Sequence, residues 1–115
     1  MTGTADAFEQ AMDRDMAKMM QAMHGPGYSG DPDIDFLVMM IPHHQGAVDM
    51  ARLVLIYGED PLIRQLAAEI IAAQQAEIQA MQGRLATLRA AAGTGGAPYP
   101  ALSGTRGGPE SPDSR

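Results

Sequence analysis

The dipeptide Asp-Pro occurs twice, at Asp31-Pro32 and Asp60-Pro61, each time within two residues after a glycine and just ahead of a long apolar run. Asp is a preferred helix N-cap, and Pro suits the first helical position because the N–H it lacks would be unpaired there anyway. With the stop signals His24-Gly25-Pro26 and Gly58, these starts divide the chain into three helices. The first is expected over about residues 5–24, with Asp6 and Glu9 at capping-box spacing. The second runs from the Asp31 cap to about Tyr57, with Asp33 and Asp35 at its positive end. The third covers about residues 61–91. Pro42 falls inside the second and either kinks it before His43-His44 or breaks it, leaving Asp31 to Ile41 as a separate short helix.

From Gly93 onward, six Gly and four Pro fall among the last 23 residues. Such a segment buries too little apolar surface to offset its chain entropy. The expected organisation is an all-α helical bundle of three long helices over residues 1–92, with a flexible Gly/Pro-rich tail over 93–115.

Composition narrows the chemistry. The chain has 115 residues, 10 Met, 3 His, no Cys and no Trp. Without Cys there is no disulfide scaffold, thiol catalysis or thiolate metal site. Net charge is −6, which argues against nucleic acid or an anionic membrane as partner. The acids are concentrated: residues 1–60 hold ten acids and three bases, residues 61–115 four acids and five bases. No apolar run is long enough for a membrane span. The start, Met1 to Asp6, lacks the basic and apolar regions of a signal peptide. Either a cytoplasmic protein or a mature domain begun at an added methionine fits that start.

Placing residues at 100° per step gives each helix an apolar stripe. In the first it is Phe8, Met12, Met16, Met19 and Met23, with Met20 and His24 together at its edge. In the second, Phe36, Met39, His43, Ala47, Met50 and Val54 share a line, flanked by Met40 and His44. In the third, Ile63, Ala67, Ile70, Gln74, Ile78, Met81, Leu85 and Leu88 form the face, with Glu77 near its centre. His43 and the Gln74/Glu77 pair sit where a plain core would be apolar. Unsatisfied, each buried polar group costs about 1–3 kcal/mol, so Glu77 is expected to accept from a ring N–H of His43 or His44.

Thioethers and imidazoles together select soft and borderline metals, above all Cu(I) and its heavier analogue Ag(I), with Cu(II) accessible to the histidines. Met40, His43 and His44 lie three and four residues apart and Met50 is seven beyond His43, so that one helix face could gather them. Met81 could join from the third helix. Met39 is a further sulfur candidate, and Met20, Met23 and His24 form a second group at the end of the first helix. The Met stripes also read more simply as core, since Met fills irregular gaps. His24 beside Gly25 reads equally as a cation at a helix C-terminus.

Other chemistries find little support. Ser occurs only in expected loop or tail, a phosphate-binding Gly-rich loop is missing, and the Glu-x-x-His pairs of a di-iron bundle do not occur.

The run Phe36 to Ala51, centred on Met40-Ile41-Pro42-His43-His44-Gln45-Gly46, resembles the domain-of-unknown-function 305 family of ferritin-like helical proteins. Gly58 to Pro61, Arg64 to Ala67 and Ile70 to Met81 extend the resemblance, which covers about residues 8 to 90. It implies a protein that is typically exported; some members bind copper or silver through Met and His and contribute to copper tolerance. By resemblance the family's signature positions fall on Met40, His43, His44, Met50 and Met81, with Gln74 and Glu77 as its polar pair. Members usually carry an aromatic shortly after the Met81 position, where this chain has Gln82-Gly83-Arg84.

The expectation is therefore a non-enzymatic Cu(I)/Ag(I)-binding protein for copper sequestration, transport or tolerance. His43 and His44 would be principal ligands, Met40, Met50 and Met81 sulfur donors, and Gln74 and Glu77 orienting groups behind them. A homodimer completing a four- or six-helix bundle fits the small core. The competing expectation is a metal-free helical interaction module whose Met-rich surface serves self-association or a partner.

Overall fold

The computed structural model describes residues 3–93. They form three α-helices: α1 (Gly3–His24), α2 (Pro32–Tyr57) and α3 (Pro61–Gly93). Every element among them is helical, and no described helix is long and apolar enough to cross a membrane. Residues 94–115, most of the expected tail, lie outside the described residues. The chain divides into two compact units, Met1–Gly83 and Arg84–Arg115. In the second, the described residues are the last turns of α3, where Leu85 and Leu88 are half-buried.

Both Asp-Pro starts act as expected. Asp31 accepts through Oδ1 from the N–H groups of Asp33 (2.9 Å) and Ile34 (3.3 Å). Asp60 does the same for Leu62 (2.9 Å) and Ile63 (3.1 Å). Each carboxylate thereby satisfies two orphan donors of a helix start. The loop before α2 turns through Gly27 and Gly30, both with positive φ (69° and 96°), where a side chain would strain the backbone.

Two boundary expectations are corrected. α1 starts at Gly3, so Asp6 lies in the first turn and opposes the helix dipole there instead of capping. α2 runs unbroken through Pro42, which excludes a separate helix ending at Ile41. One missing N–H leaves the remaining ladder of a 26-residue helix intact.

α2 is the central element because it is covered on two nearly opposite sides. At 100° per residue His44 and Gly46 point about 200° apart. Gly46 and Asp49 face α1: a Cβ on Gly46 would overlap the Sδ and Cγ of Met19, and Lys18 pairs with Asp49 at 3.6 Å. Gln45 steadies Asp49 from the next turn with an Nε2–H···Oδ1 bond of 3.0 Å. Phe8 meets Tyr57 edge to face with ring centroids 6.0 Å apart. Toward α3, Arg64 donates from one Nη to the carbonyls of Leu55 (2.7 Å) and Gly58 (3.1 Å). That bond pair closes the C-terminal end of α2 and fixes the corner into α3.

The buried apolar side chains are Ala11, Leu37, Val48, Ala51, Leu53, Ala67 and Ile78, and of these Val48 is fully enclosed. This differs from the periodicity reading. On α1 Met16 is exposed, while Phe8, Met12, Met19 and Met23 are half-buried around Ala11. On α2 the expected stripe is the least covered: Phe36 is 61% exposed and His43 is exposed, with Met39, Ala47, Met50 and Val54 half-buried. On α3 Ile63 is exposed, Ala67 and Ile78 are buried, and Ile70, Gln74 and Met81 are half-buried. A helix apolar on every side yields no single best stripe, and α2 is such a helix because it has neighbours on two sides.

Candidate metal site

His44 is the most fully engaged of the candidate ligands. Four residues back, the Met40 carbonyl lies 2.8 Å from its Nδ1. A carbonyl can only accept, so Nδ1 carries the hydrogen and Nε2 is left facing α3. There Nε2 meets Glu77 Oε1 at 3.0 Å, with the His44 side chain 17% exposed and that of Glu77 58% exposed. A doubly protonated ring donates to both oxygens. A neutral ring with its hydrogen on Nδ1 has an Nε2 lone pair free for a metal only when Glu77 turns away, because two acceptors form no hydrogen bond. This is the arrangement by which second-shell bonds orient a metal-binding histidine.

The expected His–Glu pairing is thus made by His44, but Glu77 stands at the rim and not at the centre of a buried face. The larger correction concerns His43, which is exposed where a position amid core residues was expected. Its ring lies 5.8 Å from that of His44, centroid to centroid, at 60°.

Gln74, one turn before Glu77 on the same face, has its Oε1 buried without a hydrogen-bond partner. A buried acceptor without a donor is costly unless a water or a cation answers it. Met81 lies seven residues further along, half-buried on that face. On α2 Met40 is half-buried one turn from His44. Met39 and Met50 are half-buried on the other flank, with His43. Met50 is two turns, about 10.5 Å of helix rise, from His43, so the expectation that one point on a single helix gathers both is not supported. Met20 and His24 are exposed at the end of α1 and Met23 is half-buried.

Among the described residues, no three His, Asp or Glu side chains converge on a position that could hold a metal ion. Imidazole and thioether side chains on this part of α2 are a donor set suited to d¹⁰ Cu(I) and Ag(I). Periodicity placed His43 on the stripe and His44 on its flank, and what it missed was that the flank of His44, not the stripe, meets α3.

Comparison with known proteins finds a family and a relative. The profile of the family described as Domain of unknown function (DUF305) matches residues 1–85. The chain is also similar to the uncharacterised protein L153 of Acanthamoeba polyphaga mimivirus, at 43% identity over 53 residues, 46% of this chain. The match spans 35% of that relative's length.

Proposed function

The chain belongs to the DUF305 family, and from that premise and the site geometry we propose that it is a non-enzymatic protein that binds Cu(I) or Ag(I) for copper sequestration, transport or tolerance. The observation that carries the reading is His44: its Nδ1–H is held by the Met40 carbonyl, and its Nε2 is aimed at α3 beside a helix face that carries an orphaned Gln74 oxygen. His44 Nε2 and His43 are the nitrogen donors and Met40 and Met81 the sulfur donors, with Met39 and Met50 on the His43 flank. Glu77 would release Nε2 to a bound metal and, with Gln74, would orient the ligands around it. Met20, Met23 and His24 form a weaker surface group. The acidic N-terminal half raises the local cation concentration. Export, a family trait carried over by resemblance, belongs to the same reading, as does a second copy of the chain as partner.

Competition titration tests it. Cu(I) or Ag(I) is expected to displace Zn(II) and to raise the melting temperature, since a ligand that prefers the folded state stabilises it. The double variant His43→Ala/His44→Ala is expected to lose metal uptake while keeping its helical circular dichroism. Equal or tighter binding of Zn(II) would overturn the proposal.

A further inference from the structure

The stripe Phe36, Met39, His43, Met50, Val54 and Tyr57 runs along the flank of α2 that neither α1 nor α3 covers fully. Its spacing reads 3, 4, 7, 4, 3 from either end. The centre of that symmetry lies between Gly46 and Ala47. A stripe with this property is complementary to itself when a second copy is laid antiparallel, as a two-fold interface requires. Phe36 then meets the partner copy at the level of Tyr57, Met39 at the level of Val54, and His43 at the level of Met50. The small Ala47 sits beside the axis and permits close approach.

Shape agrees with this pairing. Phe36, 61% exposed, is a projecting knob, and at the other end of the stripe Phe8, Val54, Tyr57 and Ile63 line an apolar groove. The antiparallel pairing seats the knob in the partner copy's groove, twice. The stripe itself holds no charged residue.

We propose that the protein is an antiparallel two-fold dimer through this stripe of α2, and that each soft-metal site is completed across the dyad by Met50 of the other copy. The second clause rests on the proposed metal function. On one helix His43 and Met50 are separated by two turns, but across the dyad they lie at the same level, so each His43 gains a thioether that its own chain supplies poorly.

The absence of native Cys makes single-cysteine cross-linking clean. In chelator-treated protein, Ala47→Cys is expected to form an intermolecular disulfide. Met39→Cys and Val54→Cys are expected to cross-link when mixed and not when alone. Arg52→Cys, on the far side of α2, stays uncoupled. Phe36→Glu, at an exposed position, is expected to sediment as a folded monomer. A wild-type monomer at about 100 μM, or Arg52→Cys coupling as readily as Ala47→Cys, would overturn the dimer.

Donor sharing is tested by mixing His43→Ala chains with Met50→Leu chains. Half of the random dimers are mixed and each has one intact site of two, so about a quarter of the Ag(I) sites should return. A parent dimer that binds Ag(I) without such complementation overturns the sharing and leaves the dimer standing. A parent dimer that binds no Ag(I) overturns the sharing together with the metal function.

Discussion

His43 and His44 are neighbours in sequence with different surroundings, because one step of 100° is enough to move a side chain from a packed flank of α2 to an open one. The pairing of Glu77 with a histidine was legible in the sequence, since both types sat where a core needs them satisfied. Which histidine it was depended on where α3 lies, and that depends on packing between residues far apart in the chain. Gly46 shows the same limit. In sequence it reads as a weak point within a helix, but it is buried and the Met19 side chain occupies the space its Cβ would fill. Gly46→Ala gains about 1 kcal/mol of intrinsic helix preference and is charged about 1–3 kcal/mol for overpacking. It is expected to destabilise the wild-type chain by up to about 2 kcal/mol. In a Met19→Ala background, with the thioether gone, the same substitution should become neutral or stabilising. Denaturant melts of the four chains in this cycle measure the change of sign, and equal effects in both backgrounds would show that Met19 is not the obstacle.

The helices were the most legible level, because their ends are set by local chemistry. Asp31 and Asp60 cap as the Asp-Pro dipeptides indicated, and the unbroken course through Pro42 follows from the cooperativity of a long helix. The Asp6-Glu9 spacing misled because a short polar side chain near a helix start can serve as a first-turn charge as readily as a cap. Asp35 carries a further consequence at the start of α2. Its Oδ1 accepts from Ser29 Oγ–H at 2.7 Å and Ser29 N–H at 2.8 Å. The hydroxyl bond first, and then the N–H bond, hold its carboxyl below the ordinary carboxylate range. A carboxyl lowered in the folded state stabilises above its unfolded pKa, and the contribution is lost as the pH falls through the folded value. Wild type should therefore melt above Asp35→Asn by a constant margin down to about pH 5, and the margin should close on acidification below about pH 4. A margin unchanged at pH 3 would mean that the Ser29 bonds do not select the charged form.

The whole molecule was the least legible level, since period alone does not reveal how many neighbours a helix has. The reading of the α2 stripe as core and the exposure of Phe36 and His43 are reconciled if core for that stripe is formed only between two chains. Folding and association are then linked, so stability depends on protein concentration. Unfolding enthalpy scales at about 0.7 kcal/mol per residue, and for two such helical domains unfolding together the melting temperature should rise by roughly 4 °C for each tenfold increase in concentration. Phe36→Glu places a charge where the partner copy's groove expects a ring. It should flatten that dependence and leave the melting temperature of dilute protein near the wild-type value, because an exposed side chain contributes little to the single chain. Thermal scans from about 1 to 100 μM, with and without the substitution, separate this from a stripe that is merely a loose surface. In that case both chains would melt at temperatures independent of concentration.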